Sequence, residues 1–288
     1  MEMFEILTKK LIAPDIYYMD VYAPRMAHSA LPGQFLIVRV DDRGERVPLT
    51  ISDFDRDKGT ITIVTQALGV STRKIVALNE GDHFANFAGP LGRPSELIDM
   101  PDEELAGKRI LFIAGGVGAA PVYPQVKYLN DRGLKADVIL GARSAELLIY
   151  KDKLAAVSGN LYIATNDGSE GIRGLVTDAL AQIVEGESVP IDLLITIGPM
   201  IMMKVVTDFT RQAGIKTIAS LNTLMVDGTG MCGACRVTVN GKTRFTCVDG
   251  PEFDAHQINW DEAMRRQGMY KSIERKKLDD HICNIGLN

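Results

Sequence analysis

Between Asp227 and Cys247 the chain reads DGTGMCGACRVTVNGKTRFTC, and three of its four cysteines fall there, as Cys232-x-x-Cys235 and then Cys247. Thiolates at this spacing hold zinc or an iron–sulfur cluster. Two β-branched runs flank Asn240-Gly241, the signature of a two-residue hairpin, and such a hairpin returns Cys247 to the loop carrying the other two thiols. Gly228, Gly230 and Gly233 leave the backbone free to wrap closely around a bound group. A plant-type [2Fe–2S] loop has Cys-x4-Cys-x2-Cys and a distant fourth cysteine. Here the first of those positions is Asp227. A CxxC pair is often no more than two buried thiols. A Gly-rich loop with a third cysteine brought back by a hairpin points instead to a metal or cluster. Cys283 reads as a packed thiol and stands as a rival fourth ligand.

A second chemistry lies upstream. Gly116-x-Gly118-x-x-Pro121 sits between the apolar run RILFIA and a helical stretch. Glycines there let the backbone approach a pyrophosphate, and the helix start offers free N–H groups with a partial positive charge. Arg143 and Ser144, after the next apolar run, are placed to meet an adenosine ribose, and Glu146 is the competing acceptor for ribose hydroxyls. A third set lies earlier still. Arg46, Pro48, Leu49 and Thr50 offer a cation, a rigid corner and a hydroxyl beside a strand. Gln66, Gly69, Ser71 and Thr72 form a turn opening a helical run, again a phosphate cradle. Two such cradles suggest two nucleotides bound across an interface.

The elements that position these residues change character along the chain. Up to about Pro94, short β-branched runs separated by Pro, Gly and Asp predict an antiparallel barrel or sandwich. From Lys108 to about 222, apolar strands alternate with helical segments, which predicts a parallel sheet covered on both faces. We expect regions at 1–98, 105–222 and 223–288, the last holding the cysteine loop and a helical tail. In that tail Trp260, Met264 and Tyr270 form a sparse apolar stripe for docking. The 288 residues are 46% hydrophobic and 24% charged, with a net charge of −5. That balance argues against nucleic acid as a partner. The N-terminal run lacks a signal peptide's apolar core, and LLITIGPMIMM is too short to span a bilayer. Clustered cysteines argue for a reducing compartment. The expectation is a soluble cytoplasmic protein with no membrane partner.

The order of parts resembles the ferredoxin–NADP⁺ reductase-like flavoproteins, in VPLT, QALGVST, GPLG, GGVGAAP, GARS and Gly198-Pro199-Met200. The resemblance implies a flavin-binding antiparallel β-barrel, a parallel-sheet α/β nucleotide-binding domain and a small C-terminal iron–sulfur subdomain. It carries Gly89, Gly92, Gly115, Gly198, Pro199 and Met200 into the cofactor sites. The family's Arg-x-Tyr-Ser would put its arginine at Val47 and its aromatic at Leu49, so Arg46 is one place out of register. With the cysteine loop, the chain looks like the electron-transfer subunit of bacterial dihydroorotate dehydrogenase. With Asp at the first position, it resembles the small subunits of NADH-dependent reduced ferredoxin:NADP⁺ oxidoreductases. That resemblance implies FAD, NAD(H) and a [2Fe–2S] cluster on Asp227, Cys232, Cys235 and Cys247. It also implies a heterodimer with a larger iron–sulfur flavoprotein, through which ferredoxin is reached.

A nicotinamide delivers two electrons as hydride and a cluster moves one at a time; flavin exchanges with both. No Ser/His/Asp or paired-carboxylate constellation is visible, so catalysis is expected to rest on the flavin. NADH is the expected nucleotide, because Glu146 is near the ribose and Arg143 has no basic neighbours for a further phosphate. The first reading is therefore the small subunit of a flavin-based transhydrogenase, and two others stand beside it: a dihydroorotate-oxidising complex, and a non-catalytic nucleotide-binding module stapled by zinc.

Overall fold

The computed structural model describes residues 2–186 and 189–285, the last four by backbone alone. The first layer comprises β1 (Ile6–Ala13), β2 (Ile16–Tyr22), α1 (Pro24–Ser29), β3 (Phe35–Arg39), β4 (Val47–Asp55), β5 (Thr60–Gln66), α2 (Val70–Ala77) and β6 (Asn86–Leu91). The strands form one antiparallel sheet in the order β1-β2-β5-β4-β3-β6. Glu5 bridges His83, and the Ile6 N–H donates to Asp82 O at 2.9 Å. These bonds join β1 to the segment entering β6 and close the sheet into a barrel, which removes its open edges. Met19, Leu36, Ile51, Ile61 and Ile63 fill the interior, as the two-residue period of their strands requires.

A short connector with α3 (Asp102–Ala106) leads to the second layer. It contains β7 (Ile110–Gly115), α4 (Ala119–Asp131), β8 (Asp137–Ala142), α5 (Lys151–Val157), β9 (Leu161–Thr165), β10 (Ile172–Arg173), α6 (Val176–Gly186), β11 (Leu193–Ile197), α7 (Met200–Ala213) and β12 (Thr217–Ser220). Every residue of β7 and β11 is buried, the mark of central parallel strands covered on both faces. Helices α4 and α5 cover one face and α6 and α7 the other. The chain winds outward from β7 to β8 and β9, then returns to place β11 on β7's other side. The order therefore reverses between β7 and β11, and a crevice opens at the ends of those strands. Ala13, Ile16 and Val64 of the barrel share a core with Phe112 and Ala120, so the two layers are packed directly together.

The remainder holds β13 (Arg236–Val239), β14 (Lys242–Phe245), α8 (Thr246–Asp249), β15 (Glu252–Asp254), α9 (Trp260–Gln267) and α10 (Lys271–Ile285). Asn240 and Gly241 both have positive φ, 50° and 69°, and Val239 pairs Lys242 across them. The hairpin predicted from Asn-Gly is formed. Strand β15 pairs antiparallel with β12, so this last region extends the nucleotide-domain sheet as its edge. Trp260 and Met264 pack with Met200, Met203 and Val237, docking α9 on the body, whereas Tyr270 is exposed. Among the described residues, no helix is long and apolar enough to cross a membrane.

Candidate functional site

At the reversal between β7 and β11 two glycine turns are pressed together. Gly116 has φ 56°, and nothing lies within 4 Å of where its Cβ would be. The turn needs glycine for its conformation and leaves open space above it. Gly118 is needed for a different reason: a Cβ there would run into the Ile197 carbonyl. A Cβ on Gly198 would meet the Met202 methyl at 2.7 Å and Gly115 Cα at 3.1 Å. Pro121 is the third residue of α4, where its missing N–H leaves no helical bond unmade. The start of α4 thus faces a cleared cradle, with Gly198, Pro199 and Met200 as its second wall. Arg143 is exposed after β8, and its carbonyl accepts from Asp167 N–H at 3.2 Å. Ser144 precedes Ala145, whose N–H donates to Ser169 Oγ at 2.8 Å. Glu146 is exposed beside them.

On the barrel side, Ile51 points into the core, so Thr50 and Ser52 face outward on β4. The irregular register between Ile51 and Asp53 lets Asp53 face the same way. Its carboxylate accepts from Lys127 of α4 at 2.9 Å. Ser52 Oγ lies 2.9 Å from the Tyr150 hydroxyl and donates to Ala120 O at 3.3 Å. Tyr150 itself sits at φ 60°, and Lys153 stands over the rings of Tyr18, Tyr123 and Tyr150. Burial pulls the Lys153 ammonium below its ordinary pKa. This seam was not foreseen from sequence, because its partners are up to 98 residues apart and carry no motif.

The α2 turn is partly spent on itself. Thr72 Oγ1 accepts from Leu68 N–H at 3.0 Å and Gly69 N–H at 2.9 Å, and Ser71 donates to the Glu45 carboxylate. Gly69 has open space where a Cβ would be, which keeps the cradle clear, and Gln66 closes β5 opposite Ile16. Gly89 and Gly92 have a packing reason: a Cβ on either would come within 2.9 Å of Leu36 or the Phe35 ring. Pro48 and Leu49 pair Ile37 and Leu36 in register. Arg46 reaches the cysteine loop, where its Nη2 donates to Asp227 O at 3.1 Å.

The cysteine loop sits on the barrel. Cys235 and Cys247 are both 2% exposed and share a small core with Phe35, Ile37 and Met225. Their sulfurs are 3.2 Å apart. Burial first, then the neighbouring Cys235 thiol, pushes the Cys247 thiol up to about 12. Cys232 is exposed. The Asp227 carboxylate accepts from the Thr229 hydroxyl and from its N–H at 2.9 Å, and these bonds hold its pKa below the usual carboxylate value. Two of the four candidate ligands are thus brought together. Among the described residues, no three His, Cys, Asp or Glu side chains are grouped to hold a metal ion. The side chain of Cys283 lies outside the described residues. The donor set nonetheless fits a thiophilic cation. Burial disfavours the Cys247 thiolate, and a ferric or zinc ion between the two apposed sulfurs would supply the charge that stabilises it. Phe35 pairs Thr50 across β3 and β4 and belongs to the same buried cluster as Cys235 and Cys247.

Residues 222–259 match the iron–sulfur cluster binding domain of dihydroorotate dehydrogenase B, and residues 112–208 match the oxidoreductase NAD-binding domain. The electron transfer subunit homolog of dihydroorotate dehydrogenase B (NAD(+)) from Thermotoga maritima is 39% identical, over 98% of this chain and 96% of the relative. The electron transfer subunit from Fusobacterium nucleatum is 31% identical, over 86% of this chain and 94% of its own. A chain of the NADH-dependent reduced ferredoxin-NADP oxidoreductase structure, a study of flavin-based electron bifurcation, superposes with a TM-score of 0.89. It is 38% identical and covers 98% of this chain and 99% of that one.

Proposed function

We propose that this chain, which belongs to the family of dihydroorotate dehydrogenase B electron-transfer subunits and their homologues, is the NADH-side subunit of a ferredoxin-linked transhydrogenase. It is an electron-transfer oxidoreductase whose cofactors are FAD, a [2Fe–2S] cluster and NAD(H). The carrying observation is the Asp at the first position of the cluster loop. The superposition of the ferredoxin-NADP oxidoreductase chain over 98% of this one supports the same reading.

When bound, the flavin exchanges hydride with a nicotinamide and single electrons with the cluster. The chain's part is positioning. The open turn from Gly116 to Gly118, which runs directly into α4, receives a pyrophosphate, with Arg143 and Ser144 at the ribose. Thr50 presents its hydroxyl to the flavin, and the Gly69–Thr72 turn holds its phosphates. Cys232, Cys235, Cys247 and Asp227 hold the cluster, with Phe35 filling the space between that loop and Thr50. Ser52, Tyr150 and Ala120 keep the seam closed to water. Electrons leave through a larger iron–sulfur flavoprotein partner.

Purification with the native partner tests this. The expected activity is NADP⁺ reduction that requires both NADH and reduced ferredoxin. A second reading, a dihydroorotate-oxidising complex, has the match at residues 222–259 in its favour. NAD⁺ reduction by dihydroorotate in the purified complex would establish it instead. A colourless protein containing zinc would remove both.

A further inference from the structure

The loop from Asn222 to Cys235 is gripped at both ends by the last turn of α9. Arg266 Nη2 donates to Ala234 O at 3.0 Å, one residue before Cys235. Gln267 Nε2 lies 3.4 Å from both Asn222 oxygens. The helix is not free to wander. Asn259 caps it by accepting from Glu262 N–H at 3.1 Å, Trp260 Nε1 donates to Ala255 O at 3.0 Å, and Lys204 pairs Asp261 at 3.0 Å.

Arg266 is half-buried, and its Nε is buried with no hydrogen-bond partner. Among the described residues no carboxylate pairs with it. A guanidinium removed from water, with one donor orphaned and no counter-anion, is costly unless an anion completes the site. The cluster assigned to this loop is such an anion: it is net negative on four anionic ligands and gains another negative charge on reduction. Two exposed arginines bond backbone carbonyls at or beside the candidate ligands. Arg46 donates to Asp227 O at 3.1 Å, and Arg93 Nε to Val248 O, next to Cys247, at 3.4 Å.

We propose that Arg266 is the internal counter-cation of the cluster: it fixes the Cys235 end of the loop through Ala234 and raises the reduction potential by favouring the reduced, more negative state. Arg46 and Arg93 do the same from the rim, where solvent screens them. This rests on the cluster's being held at this loop. Since charge and hydrogen bond are separable, the test uses two substitutions in the full chain. Arg266→Gln can still donate to the Ala234 carbonyl but carries no charge, and Arg266→Lys keeps the charge. The readouts are iron and FAD content and the cluster midpoint potential, from a redox titration followed by electron paramagnetic resonance.

The expected result is a lower potential in Arg266→Gln, a potential near wild type in Arg266→Lys, and unchanged FAD in both. Loss of iron from the glutamine variant alone carries the same meaning. A wild-type potential in Arg266→Gln, or equal shifts or equal iron loss in both variants, overturns the role of charge and leaves the functional reading standing. Wild-type protein lacking iron and sulfide would overturn the cluster site together with this inference.

Discussion

Glu252 offers a direct test of how the third region is seated. It opens β15, the strand that joins the cysteine region to the nucleotide-domain sheet. Its Oε1 accepts from Gln125 Nε2 of α4 at 2.8 Å, while its Oε2 is buried without a partner, as is Ser95 Oγ. Burial pushes its pKa from 4.5 up to about 7, with Glu96 adding in the same direction. The folded value lies above the unfolded one, so the protonated carboxyl stabilises the fold fully below about pH 4.5. That contribution is lost as pH rises through about 7. A tenfold difference in proton affinity is worth about 1.4 kcal/mol, so the loss between about pH 5 and about pH 8 is on the order of 2–3 kcal/mol. Glu252→Gln keeps an acceptor for Gln125 and cannot ionise. Unfolding in urea, followed by fluorescence of the single tryptophan, Trp260, should show the variant gaining on wild type by that amount across the interval. Parallel pH profiles for the two proteins would refute the reasoning, because they would mean that Glu252 titrates as it does in the unfolded chain.

Other substitutions address the sites one at a time. Gly118→Ala forces a Cβ onto the Ile197 carbonyl and should weaken NADH binding by roughly tenfold or more while FAD stays bound, measured by titrating flavin reduction. Unchanged affinity would mean the two turns can separate at no cost. Thr50→Val should lower flavin retention by about 1–2 kcal/mol if the hydroxyl bonds the flavin; equal occupancy after dialysis would reduce Thr50 to a packing residue. Asp227→Ala should make the cluster labile and Asp227→Cys should retain it with a shifted potential. If Asp227→Ala keeps full iron content and Cys283→Ala bleaches the protein, the fourth ligand is Cys283.

Much of this architecture is legible locally. Asn240-Gly241 announces its hairpin because few other pairs adopt positive φ twice in succession. The all-apolar runs ending at Gly115 and Ile197 announce central parallel strands, and the glycines after β7 announce a turn that must be bare. What is hidden depends on distant pairing. Strand β6, NFAGPL, reads as a Gly-Pro corner, and its strand character comes from its register with β3. Strand β15 is three residues with two acids, indistinguishable from a loop until β12 lies beside it. The convergence of Cys235 with Cys247 follows from the hairpin, but the exposure of Cys232 and the bonding of Asp227 to Thr229 do not. Arg266 and the Ser52–Tyr150 contact have no sequence signal, since each is defined only when separate elements dock.

The most direct test of electron flow through this chain is an anaerobic titration of the purified protein with NADH, followed by visible absorbance and electron paramagnetic resonance. Bleaching of the flavin band is expected together with the signal of a reduced [2Fe–2S] cluster, from one FAD and one cluster per chain. Flavin that bleaches while iron and sulfide are absent, or a cluster that stays oxidised when the flavin and the native partner are both reduced, would contradict it.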